Sequence, residues 1–276
     1  MMKESRITPI LGHDLQYGYA LPNMEDYIKT YETSVWAYAS VYVIATSAAS
    51  VALKFYGKNS SGENSEIEDH QHKKVFENPN PFMSEFDLWE ATYSFLELSG
   101  NCYWELVRNK STNRIEEIYV LRPDRMKIQG DEKKLIGAYI YNINGREIAF
   151  SPEEILHFKY FHPLSDLYGF TPIQPSAQTL TIDLYSLTYN KNFFKLGARI
   201  GGVLETDRHL SRDAIDRLEA TWNAEYGGYN YAWRTAVLQE GLRYKEVSPT
   251  HTDMDFIKLR KQTREEVFGT MGVYPI

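Results

Sequence analysis

Residues 171–196 read TPIQPSAQTLTIDLYSLTYNKNFFKL, and the reading of this stretch decides the fold. Thr171 can cap a helix, Pro172 suits a first helical position and Gln174 completes a capping box, so the stretch predicts a helix that starts here and runs to about Leu196. Along it Ile173, Ala177, Leu180, Leu184, Leu187 and Phe194 recur at spacings of four and three, interrupted by Lys191. A second, polar line holds Ser176, Thr179, Asp183, Ser186 and Asn190, so one face is expected to pack and the other to meet water. Lys191, Lys195 and Arg199 fall near the end, where cations suit the helix dipole. A helix of about 24 residues is about 36 Å long, well beyond the usual 10 to 14 residues, and acts as a strut.

Toward the C-terminus the pattern shortens. GVLET at 202–206 predicts a strand, Ser211 caps a helix to about Glu225 that Gly227 and Gly228 end, and strands are expected at 235–239 and 243–247. These fifty residues form a small α/β insertion, rich in Trp222, Tyr226, Tyr229, Tyr231, Trp233 and Arg234. Such a cluster serves partner contact or local core more readily than ligand stacking. A second long helix is expected from Thr252 or Asp253 through residue 271.

Toward the N-terminus, Ser84 with Asp87 opens a helix over 85–98 that Gly100 stops. Strand character follows at 101–107, 115–121, 136–142 and 147–150, with Asn144-Gly145 as a hairpin turn between the last two. Residues 57–74 lack periodicity and predict an exposed loop, in which His70-x-His72 is solvated and does not hold a metal. Nineteen uncharged residues, 35–53, would span about 28 Å as a helix. Their Ala, Ser, Thr and Tyr content and the absence of one-sided basic flanking favour a buried helix running into a strand at 51–56, and no membrane partner. The first 165 residues are therefore α+β.

The 276 residues suffice for one large domain or two ordinary ones, and 43% hydrophobic with 24% charged residues is the composition of a folded globular protein. Cys102 is the lone cysteine, which excludes an internal disulfide and a cysteine zinc cluster and predicts a reducing compartment. Thirty Lys and Arg against 37 Asp and Glu leave −7, which argues against gripping nucleic acid by bulk charge. Phosphate loops, dinucleotide fingerprints, HExxH and GxSxG are absent from the sequence. GARIGG at 197–202 has the wrong spacing, Asp253-x-Asp255 suits a helix N-terminus, and Ser151 with Glu153 and Glu154 reads as a capping turn. His157 and His162 flank an expected strand with no candidate nucleophile nearby, so structural roles are expected and a hydrolase using either is the weaker rival. No catalytic residue, metal or cofactor is expected.

Six segments in order carry a resemblance: SVWAYASVYVIATSAASVALKFYG (34–57), ENPNPFMSEFDLWEATYSFLELSGNCYWELVRN (77–109), IEEIYVLRPDRMKI (115–128), EILHFKYFHPLSDLYGFTPIQPS (154–176), FFKLGARIGGVLETD (193–207) and DMDFIKLRKQTREEVFGTMGVYPI (253–276). Together they resemble phage portal proteins of the HK97 type. The resemblance implies a portal-like α+β fold with a wing and body over 1–170, a first stem helix over 171–199, a clip over 200–252 and a second stem over 253–276. It further implies a homo-oligomeric ring, typically of twelve copies, at a virion's capsid vertex after assembly in the host cytoplasm. Its expected partners are the large terminase, the head-tail adaptor, capsid and scaffold proteins, and double-stranded DNA passing through the channel. On that reading Asp183, Ser186, Asn190, Lys191, Lys195 and Arg199 line the channel, and the aromatic cluster of 222–234 meets terminase and adaptor. The family usually continues past a segment resembling GVPP into a tunnel loop and crown, whereas Tyr274 stands here where Pro is usual and the sequence stops at Ile276. The expectation is thus a portal lacking loop and crown, with a prophage remnant or repurposed interaction protein as the alternative.

Overall fold

The computed structural model describes residues 24–58, 62–67, 70–131, 134–195, 202–207, 209–226, 238, 241–246 and 252–274. Within these, α1 (Met24–Thr33) leads into α2 (Val35–Ala49), which Ser34 caps by accepting from the Ala37 N–H. Ala37, Val41, Ala45 and Ala49 recur every four residues and form the buried stripe of α2. The uncharged stretch is thus a 15-residue helix with one buried side, and among the described residues no helix is long and apolar enough to cross a membrane. The strand expected at 51–56 is not formed; β1 (Tyr56–Lys58) begins where it was to end.

The expected loop at 57–74 holds structure. β1 pairs antiparallel with β2 (Asn64–Glu66), and α3 (Gln71–Glu77) follows, capped by His70, whose Nδ1 accepts from the His72 N–H at 3.3 Å. Seven helical residues, about two turns, are too few to show a hydrophobic period. α4 (Glu85–Ser99) carries the full capping box, with the Asp87 N–H donating to Ser84 Oγ and the Ser84 N–H donating back to the Asp87 carboxylate. Gly100 ends it at φ 72.

β3 (Asn101–Arg108) divides the body into two apolar layers, because successive side chains of a strand point to opposite faces. Cys102 and Trp104 pack with Leu88, Leu96 and Ile118 against α4, while Tyr103 joins Leu121, Met126, Ile128, Tyr139, Tyr141 and Ile155 on the other side. The Trp104 indole N–H donates to Thr92 Oγ1 at 2.8 Å, so the largest buried side chain has its polar atom satisfied. β4 (Ile115–Leu121) and β8 (Ile155–Lys159) flank β3, both antiparallel. A second antiparallel sheet holds β5 (Met126–Asp131), β6 (Leu135–Ile143) and β7 (Arg146–Phe150), the last two joined through Asn144 and Gly145 at φ 52 and 82.

A 3-10 turn over Gln174–Ser176 precedes α5 (Ala177–Lys195). The α-helix therefore starts five residues after Pro172, the first helical position that a Thr171 cap predicts. Pro175 has no N–H to donate and stands where a helix begun at Thr171 would need one, so the first turn tightens. Thr171 still caps this turn, its hydroxyl accepting from the Ile173 N–H at 3.1 Å, and it is buried, donating to the Glu97 carbonyl at 2.7 Å. β9 (Gly202–Glu205), α6 (Arg212–Tyr226), β10 (Arg243–Glu246) and α7 (Thr252–Met271) complete the chain. The strand expected at 235–239 lies outside the described residues. Contacts divide the chain into a unit of residues 1–178 with 265–276 and a unit of 179–264.

Candidate functional site

The unit of 179–264 holds most of α5, the small insertion and the first half of α7, and it contains every site residue the sequence suggested. Within it α5 meets α7 through a polar pair. Arg260 Nε donates to Asp183 Oδ1 at 3.3 Å, and Asp183 is only 4% exposed. Leu180 on α5 and Thr263 on α7 are buried beside it, the Thr263 hydroxyl bonding back to the Leu259 carbonyl. Ser186 is half-buried, as is Asn190, whose Nδ2 is enclosed without a hydrogen-bond partner.

The expected packing line is borne out at Ile173 and Leu180, which are 0% and 6% exposed, but the polar line does not stay outside. Ser176 and Asp183 of that line are buried, Leu184 of the apolar line is 47% exposed, and Ile182, Tyr185 and Tyr189, which belong to neither line, are 50%, 70% and 54% exposed. The physical reason lies on the other helix. Arg260 supplies the counter-charge that lets the Asp183 carboxylate be buried, and the polar line runs beside the apolar one on the helix, so the packed side takes in members of both. Lys191 and Lys195 are exposed. Arg199 lies outside the described residues.

In the insertion, β9 pairs antiparallel with β10 from Gly202 opposite Glu246 to Glu205 opposite Arg243. Lys245 Nζ stands 3.6 Å from Glu205 Oε1 across that ladder. Trp222 of α6 stacks on Tyr244 of β10, ring centroids 5.6 Å apart and planes 20° off parallel, which fixes the helix to the ribbon. Sequence reasoning missed Tyr244 because the strand RYKE carries no marker of an aromatic pair. The Tyr226 side chain and Tyr229, Tyr231, Trp233 and Arg234 lie outside the described residues, as do the side chains of Asp253 and Asp255 and most of 197–202.

The histidines of the body have structural positions. His157 lies inside β8 rather than beside a strand, stacked on Tyr103 at 4.3 Å. Asn101 Nδ2 donates to the Ser99 carbonyl and its Oδ1 accepts from the Gly169 N–H at 2.7 Å, which fixes the amide. His157 Nε2 at 3.1 Å from that Oδ1 must then be the donor, leaving Nδ1 to accept from Tyr139 Oη at 3.5 Å. Burial, with the Lys159 charge as a smaller cause, lowers the His157 pKa to about 4, so the ring is neutral at pH 7. Ser151 N–H and hydroxyl both donate to Glu154 Oε2, the capping turn expected there, and hold that carboxyl below its usual range. Among the described residues no group of three or more His, Cys, Asp or Glu could hold a metal ion.

The comparisons with known proteins agree with one another. The sequence profile described as "Phage portal protein" matches residues 36–276. A Rickettsia bellii protein described only as uncharacterised is 30% identical over 273 residues, covering 95% of this chain and 69% of that protein. The "Probable portal protein" of Streptomyces phage phiC31 is 27% identical over 247 residues, 86% of this chain and 53% of that one. Among solved structures, a chain in the neck of an empty gene transfer agent particle, computed with C6 symmetry, superposes with a TM-score of 0.66 at 26% identity, over 91% of this chain and 70% of that one. A chain in the native particle's neck, computed with C12 symmetry, gives 0.64 at 26% identity, over 91% of this chain and 68% of that one. An HK97-family portal protein from Corynebacterium diphtheriae shares the fold, with a TM-score of 0.59 at 16% identity over 87% of this chain and 74% of that one.

Proposed function

Because this chain belongs to the phage portal protein family, we propose that it is a structural portal subunit, one copy of a ring at a capsid vertex through which double-stranded DNA passes. The observation that carries this reading is the family match over residues 36–276, which takes in both long helices and the insertion between them. Similar chains standing in necks computed with C6 and C12 symmetry support the ring. In the proposed division, residues 1–170 form the wing and body, 171–199 and 253–276 the stems, and 200–252 the clip. The clip meets the large terminase and the head-tail adaptor through the cluster of Trp222, Tyr226, Tyr229, Tyr231, Trp233 and Arg234. Trp222 contributes by holding α6 against β10.

A conduit must let a polyanion slide, so its wall needs sparse, replaceable phosphate contacts rather than a dense arginine surface whose counterion release would hold DNA. The exposed Lys191 and Lys195, with Arg199 beyond them, suit that task, and the chain's net charge of −7 keeps the remainder non-adhesive. Ser186 and Asn190 flank that wall. Asp183, paired to Arg260, clamps the stems together rather than touching DNA.

Native mass spectrometry of the 276-residue chain tests the reading. About a dozen copies in a closed ring is the expected mass; a monomer at every concentration up to the solubility limit would overturn it.

A further inference from the structure

We infer that Ile182, Tyr185 and Tyr189 on α5 form the seam along which a second copy of this chain packs; this rests on the ring proposed above. The rotation of α5 is set by its buried residues. With Asp183 held by Arg260 and Leu180 enclosed beside it, the remaining sides of the helix are left to the outside. Ile182, Tyr185 and Tyr189 are spaced at three and four residues, so they rise along one line about 10 Å long. All three are half exposed or more. Lys191 lies nine residues beyond Ile182, which at about 100° per residue is half a turn round the helix. The helix therefore separates an aromatic line from a basic one.

Charge argues for a copy of the same chain as occupant. Each copy carries −7, and no charged residue occurs from 184 to 190, so this uncharged line is where two such chains can approach without like-charge repulsion. Aromatic residues with depleted charge are the composition of an interface centre, and a line of them is unusual on a surface that stays wet. In a cyclic array such as the C6 and C12 necks that hold similar chains, each copy meets the next through two different surfaces. A line confined to one side of one helix meets that requirement, since it need not be complementary to itself.

The test places the photocrosslinker benzoylphenylalanine at Tyr185 or at Tyr189 in the full chain, with Lys191 as the comparison position. Irradiated assemblies carrying it at 185 or 189 are expected to give a covalent ladder of dimers and higher species in denaturing gels, at least tenfold stronger than from 191. Ile182→Glu, at a half-exposed position, is expected to keep the wild-type circular dichroism melt while losing at least tenfold in ring population by native mass spectrometry. Rings with no ladder from 185 or 189, or rings undiminished in a folded Ile182→Glu variant, overturn the seam and leave the ring reading standing. Absence of rings in the wild-type chain overturns both.

Discussion

A charged imidazole at position 157 would sit against Tyr103 with Lys159 nearby and no carboxylate bonded to it, and that arrangement links stability to pH. The folded-state pKa, about 4, lies below the ordinary 6.5, so the unfolded chain binds the extra proton between those values. This contribution is present in full above pH 6.5, declines as the pH falls toward 4 and stays lost below that. At 1.36 kcal/mol per pH unit the full loss is about 3 kcal/mol. Urea midpoints at pH 7.5 and 5.0 should differ clearly in the wild type, and the difference should shrink in His157→Gln; an unchanged difference would remove His157 as the cause. Cys102 offers a second residue-scale measurement. Burial pushes its thiol up to about 12, so native protein should resist a thiol-reactive disulfide reagent over hours and react promptly once unfolded. Both residues show what single positions disclose in a sequence. The structural role of His157 was legible from the lack of a nearby nucleophile, but its bond to Asn101 joins positions 56 apart and no local pattern marks it.

At the scale of elements, local chemistry was legible wherever signals agreed within a few residues. The Ser84 and Asp87 box, the Gly100 stop and the Asn144-Gly145 hairpin all stand where the sequence placed them. Gly100 has a further constraint that only the fold reveals. A Cβ there would lie 2.6 Å from the Phe170 carbonyl carbon, and a Cβ on Gly169 would lie 1.9 Å from the Gly100 oxygen. Gly100→Ala and Gly169→Ala should each destabilise by about 2–4 kcal/mol, read as a lowered melting temperature, because backbone must move in either case. α1 and β5 were harder to see. β5 alternates Met126 and Ile128 inside with Lys127 and Gln129 outside for only two repeats before an irregularity at Gly130, too short a run to separate from a loop. On α5, Leu180 packs as its spacing predicts, whereas the burial of Asp183 was missed because its partner Arg260 stands on α7. Arg260→Met should cost about 2–4 kcal/mol by stranding the Asp183 carboxylate, and the added change Asp183→Leu should recover most of it. A double-mutant cycle by urea denaturation measures this, and purely additive losses would mean the pair contributes nothing.

At the scale of the whole molecule, net charge and the proposed aromatic seam pull assembly in opposite directions, and ionic strength separates them. Twelve copies, as in a neck computed with C12 symmetry, would bring together 12 × −7 = −84 elementary charges. Their mutual repulsion reaches about 30 Å at 0.01 M salt and is cut to about 8 Å at 0.15 M. Contacts among Ile182, Tyr185 and Tyr189 carry no charge and do not weaken as salt rises. The ring fraction should therefore increase between about 0.02 and 0.3 M sodium chloride at fixed protein concentration, following the steep part of that screening. The DNA contacts proposed at Lys191 and Lys195 should respond the opposite way, since each phosphate neutralised releases counterions and loses affinity as salt is added. Sedimentation velocity of the chain alone, and of the chain with a short duplex, reads the two dependences on one instrument. Rings that dissociate as salt rises would mean that ion pairs join the copies, and the seam would then have to be sought among the charged surfaces instead.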